Sequence, residues 1–121
     1  MGRYKLIAVG AAAALALPGC GPTPPQAPGP EAHRLNVALS ILSSACGHAA
    51  EVQAFSRSPT QIRGLDRSAA AEIPVVARIY RRNPGWVFQG KTVARLVRIS
   101  VGFLNDCGLH QAASRLQRAA P

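Results

Sequence analysis

Cys46-Gly47-His48 and Cys107-Gly108-Leu109-His110 are the two places where reactive side chains sit close together in this chain. Two thiols and two imidazoles can build a tetrahedral zinc site, and two thiols can instead oxidise to a disulfide. Side chains two apart on a helix diverge by about 200°, so Cys46 and His48 do not converge on one ion. Ser44, His48 and Glu51 share roughly one helix face and have the residue types of a hydrolytic set. Neighbours at that spacing, however, usually only trade surface hydrogen bonds. No nucleophile elbow, phosphate loop or paired-carboxylate motif accompanies them, and Asp66, Glu72 and Asp106 stand singly. Catalysis needs converging groups with assigned roles. The expectation is a protein that is not an enzyme and carries no metal and no cofactor.

The third cysteine, Cys20, has a different setting. Arg3 and Lys5 form a basic start, and Leu6 to Leu17 is an apolar run rich in Ala and Leu. This is the layout of a secretory signal, and the twelve-residue run is short for a membrane span. It ends in Leu17-Pro18-Gly19-Cys20, a small residue followed at once by cysteine. The segment resembles the lipobox of bacterial lipoprotein precursors; Leu17 and Gly19 match the pattern and Pro18 departs from it. The resemblance covers residues 1–20 and implies that a diacylglycerol is attached to the Cys20 sulfur, with cleavage just before it. Residues 20–30 then read CGPTPPQAPGP, a proline-rich composition that favours an extended, solvated tether. No aspartate follows the cysteine, so nothing resembles an inner-membrane retention signal. The expected location is the cell envelope: the outer membrane facing the periplasm if there are two membranes, otherwise the outer face of the plasma membrane.

With Cys20 taken by lipid and the chain exported, Cys46 and Cys107 meet an oxidising compartment, where a disulfide is their natural state. A domain of this size has one modest core and gains from such a staple. Its charge is basic. Without Arg3 and Lys5, twelve cations remain against five acids, and Lys91 is the one cation that is not arginine. Such a domain suits anionic lipid head groups or acidic envelope polymers, whereas nucleic acid is not an expected partner outside the cell. Arginine-rich usage is also what a GC-rich genome produces without any function.

The elements follow from periodicity. Leu35, Leu39, Leu42, Cys46, Ala49 and Val52 predict one helix over about 32–55. Ser58-Pro59-Thr60-Gln61 is a helix start, with serine as cap and proline at the first helical position. The pattern continues through Ile62, Leu65, Ala69, Ile73, Val76 and Tyr80, with a kink or short break expected near 71–73 from Pro74. Asn83-Pro84-Gly85 ends it. From Val93 to Cys107 a helical stripe competes with alternation at Val97, Ile99, Val101 and Phe103. Helix is chosen because no second convincing strand exists to pair with it. A further break is expected near Cys107-Gly108.

The sequence thus predicts an all-α protein: a small three- to four-helix bundle after a signal peptide and a Pro-rich tether, with one disulfide. Its parts are a signal peptide over 1–19, a lipidated cysteine and linker over 20–30, and a helical domain over 31–121. The expected function is a lipid-anchored envelope binding or scaffolding module, reaching the membrane through its N-terminal lipid. The alternative is a helper that binds a helix of a secretion or envelope component. Small helical disulfide-bearing lipoproteins called pilotins resemble this layout in architecture, without a motif that matches residue by residue. Arg78, Arg81, Arg82, Trp86, Arg95 and Arg98 are the candidate contacts to an anionic surface. If the charge is functional, a good part of these arginines, with Arg63 and Arg67, gathers on one face near Trp86. Trp86 and Phe88 serve equally to close the open end of the bundle, and a core this small needs its large side chains.

Overall fold

Pro28 and Pro30 end the proline-rich stretch and open a long helix, because proline's fixed φ and missing N–H are tolerated in a first helical turn. In the computed structural model, which describes residues 24–121, this helix α1 spans Gly29–Phe55. Its 27 residues make it about 40 Å long. The signal segment and Cys20 lie outside the described residues. Five helices and one two-stranded ribbon follow one another: α1, α2 (Pro59–Ala70), α3 (Ile73–Arg82), β1 (Val87–Phe88), β2 (Lys91–Thr92), α4 (Val93–Asp106) and α5 (His110–Ala119). The all-α bundle with one disulfide is therefore what the chain forms. None of the helices among the described residues is long and apolar enough to cross a membrane.

α1 buries Leu35, Ala38, Leu42, Ala45 and Ala49, in steps of three and four. This corrects part of the expected stripe. Leu39, Cys46 and Val52 are only half-buried, and Ala38 and Ala45 take the deeper positions. Small side chains there let neighbouring helices approach closely. The same device recurs at Ala69 and Ala70 of α2 and at Ala112 and Ala113 of α5, all buried. Leu35, Leu42, Leu104, Leu109 and Leu116 fill the remaining space.

The start of α2 falls where serine and proline place it, with Ser58 Oγ accepting the Gln61 N–H at 3.3 Å. Pro74 stands within the first two positions of α3. Of the expected kink or short break near 71–73, the chain forms the break, and α2 and α3 are separate helices. Proline cannot donate to the preceding turn and clashes with it, whereas at a helix start both costs vanish. α3 stops at Asn83, whose side-chain oxygen accepts the Gly85 N–H at 2.9 Å.

α4 is a helix, as chosen over the strand pattern, with Val93, Val97, Ser100 and Leu104 buried. Thr92 caps it, its Oγ1 accepting the Arg95 N–H at 3.1 Å. The break before α5 is at Gly108, whose φ of 91° lies in the left-handed region that favours glycine. Gln53 of α1 reaches this turn and donates to the Cys107 carbonyl at 2.7 Å. The first N–H groups of α5 are not capped by their own neighbours but by α2. Asp66 accepts the Gln111 N–H at 3.1 Å and the Ala112 N–H at 2.8 Å. A carboxylate at a helix N-terminus satisfies orphan donors and complements the dipole. Asp66→Ala is expected to lower stability by about 1–2 kcal/mol, read from the urea midpoint, because it strips a cap and one α2–α5 tie together.

The short ribbon was not expected. β1 and β2 pair antiparallel, Val87 with Thr92 and Phe88 with Lys91. Gln89 and Gly90 connect them, both with positive φ, 51° and 81°. That is the two-residue turn whose twist suits a hairpin. On the other edge of β1, the Val87 N–H donates to the Pro25 carbonyl and the Ala27 N–H donates to the Val87 carbonyl, each at 2.9 Å. The folded part accordingly begins upstream of residue 31, and the end of the proline-rich stretch belongs to it.

Candidate functional site

The bundle has two ends that differ in chemistry. At the first, the start of α1, the end of α3, the hairpin and the start of α4 meet. Glu31, in the first turn of α1, is a buried acid. Its Oε2 accepts from Arg82 at 2.8 Å and from Arg34 at 3.1 Å. Arg82 also lies over the Trp86 ring, 5.5 Å from its centre. One guanidinium thus ties α1, α3 and the hairpin connection through a carboxylate and an aromatic face. Trp86 and Phe88 are half-buried and pack against the core, so both help close this end. Arg81, Lys91 and Arg95 are exposed around them.

The candidate contacts separate on this frame. Arg81, Arg82, Trp86 and Arg95 belong to the segments that meet at the hairpin end. Arg78 lies on a flank, in a groove shared with His33, Arg34, Val37, Glu72 and Val75. Arg98 lies between α4 and α5, beside Val97, Val101, Gln117, Ala120 and Pro121. Arg63 lines a groove at the far end, because α2 starts where α1 finishes. Arg81, Arg82 and Arg95 thus lie in the segments that meet near Trp86, while Arg63, Arg78 and Arg98 lie elsewhere. Lys91 and Arg34 join the hairpin end although the sequence reading did not single them out. Only the return of α3 to the start of α1 brings the segments together.

At the second end, the last turn of α1 presents Phe55, 87% exposed. The same end carries an open groove of about 590 Å³ lined by Gln53, Arg57, Pro59, Ile62 and Arg63. Arg57 holds φ of 53°, a left-handed conformation that a non-glycine side chain adopts at a cost. Two cations, Arg57 and Arg63, and Ile62 line one hollow at this turn. Phe55 could have been noted from the sequence: it is a large apolar residue followed directly by Ser56-Arg57-Ser58.

Cys46 and Cys107 are joined, with their Cα atoms 5.5 Å apart across 61 residues. Neither cysteine offers a thiolate in this state, and among the described residues no three His, Cys, Asp or Glu side chains are grouped to hold a metal ion. His48 and Glu51 are both exposed and 4.0 Å apart. His110 Nδ1 pairs with Asn105 Oδ1 at 3.0 Å on the surface. The fold and these surfaces define a small disulfide-bonded helical bundle with a basic end and an amphipathic end. No protein-family model, curated protein or solved structure matches the chain.

Proposed function

We propose that this protein is an exported, lipid-anchored binding module of the cell envelope, not an enzyme, held by Cys20 and engaging a partner protein at the end of α1 remote from the anchor. The observation that carries the reading is the placement of Phe55 and its neighbouring groove about 40 Å along α1 from the helix's first turn. Phe55, 87% exposed, and a groove that carries Ile62 between Arg57 and Arg63 put an aromatic, an aliphatic and two guanidinium groups at the same end of the bundle. Aromatic and arginine side chains are also the usual anchors of protein interfaces.

The groove favours the helper form of this reading, the pilotin-like alternative, over binding to a uniformly acidic polymer. Ile62 and Pro59 in the groove suit apolar side chains, Arg57 and Arg63 suit acidic ones, and Phe55 adds an exposed aromatic at the same end. The partner that fits is an amphipathic segment with acidic residues along one edge. A photo-crosslinking residue at position 55, introduced in cells, is expected to yield a discrete adduct in the envelope fraction. Ile62→Asp is expected to weaken that adduct by roughly tenfold, as loss of one central interface contact does. Absence of any adduct at position 55, with adducts instead at position 95, would contradict the reading.

A further inference from the structure

We infer that the hairpin end of the bundle is the face turned onto the lipid surface, and that the strap Pro25–Ala27 sets this orientation. The inference rests on the reading that Cys20 carries the lipid. The strap is bonded to Val87 on both sides of Gln26, through the Pro25 carbonyl and the Ala27 N–H. The end of the proline-rich stretch is thus fixed to the fold from Pro25 onward. Five residue steps separate Cys20 from Pro25, a reach of at most about 18 Å even when fully extended. A lipid at Cys20 then holds β1, and with it the whole end of the bundle, within that distance of the membrane.

The charges at this end complement an anionic surface. The first turns of α1, the last turn of α3, the hairpin with its connection, and the first turn of α4 carry Arg34, Arg81, Arg82, Lys91 and Arg95. The acid in these segments is Glu31, which is buried and bonded to Arg34 and Arg82. Arg78 lies in the middle of α3, outside these end segments, and is left out of the set. Juxtamembrane cations act only within a Debye length, about 10 Å at 0.1 M salt, and a reach of at most about 18 Å keeps this end close enough for its cations to draw it into that range. The partner assigned to this face is the anionic phospholipid surface in which the anchor sits. Docking there leaves Phe55 and its groove pointing away from the bilayer.

Trp86 is the chain's one tryptophan and reads this end directly. The acylated full chain, purified from membranes, would be placed in vesicles of phosphatidylcholine alone or with phosphatidylglycerol, each containing a head-group spin-labelled lipid. Mass spectrometry and flotation establish acylation and vesicle binding separately. The inference expects Trp86 quenching that is stronger in the anionic vesicles and falls at 1 M salt. Arg81→Glu with Lys91→Glu and Arg95→Glu spares the Glu31 pairs and is expected to lower the docked-to-undocked ratio by on the order of a hundredfold, with flotation unchanged. Ala27→Pro removes the strap's donor without altering charge and is expected to reduce quenching as well. Acylated, floating protein whose Trp86 is quenched equally in both vesicles and in all variants would overturn the orientation while leaving the anchor intact. Protein that is neither acylated nor bound to vesicles would overturn the anchoring and this inference with it.

Discussion

Replacing Cys46 and Cys107 together by alanine is expected to cost about 4 kcal/mol of unfolding free energy, the chain-entropy value for a loop of 61 residues. In a domain of this size that corresponds to a fall in Tm on the order of 20 °C. The bond ties the middle of α1 to the end of α4, and both cysteines sit half-buried at the edge of the core. The other ties between these regions are modest, chiefly the Gln53 bond to the Cys107 carbonyl and the buried Leu104 and Leu109 on either side of the turn. Helical circular dichroism of the double variant is expected to remain near that of the parent at low temperature, since the helices are set by their own stripes and caps. An unchanged Tm on reduction would show that α1 and α4 are held mainly by packing.

Cys20→Ala is expected to move the protein from the membrane fraction to the soluble fraction. Each buried CH₂ contributes about 0.8 kcal/mol, and two acyl chains hold a protein on a bilayer where one gives only marginal binding. In the proposed orientation the basic hairpin end would add attraction to anionic lipid, but a handful of cations alone gives salt-sensitive association. Any Cys20→Ala protein still found on membranes is therefore expected to leave on washing at 1 M salt, whereas the parent is expected to stay. Fractionation with and without salt separates the two contributions.

The parts of the fold that were legible in the sequence are those set by one or two local residues. Ser58-Pro59 opens α2, Pro74 separates α3 from it, Asn83-Pro84-Gly85 ends α3, and Gly108 divides α4 from α5. Proline and glycine act through their own backbone, so their effect does not wait for a partner. The choice of Ala38 and Ala45 over Leu39 and Cys46 was not legible. Periodicity allows a step of either three or four, and hydrophobicity alone favours the larger side chain. The hairpin escaped notice because strands of two residues show no alternation, and Gln89-Gly90 lacks the asparagine or aspartate that usually marks such a turn.

The two ends of the bundle were partly legible. Arg81, Arg82 and Trp86 are near neighbours in sequence, so their clustering was visible. Glu31 pairs with Arg82 across 51 residues, and Asp66 caps a helix 45 residues away, contacts that no local pattern announces. The strap was concealed by composition. Proline-rich segments read as solvated, yet the Pro25 carbonyl and the Ala27 N–H remain free to pair with an exposed strand edge, and here they do.

The central claim is that the mature chain begins at a lipidated Cys20, and the intact mass of protein extracted from the membrane fraction tests it most directly. The account predicts loss of residues 1–19 and added acyl mass, with fragmentation placing the modification on Cys20. A chain that retains residues 1–19, or one that starts elsewhere with Cys20 unmodified, would contradict it.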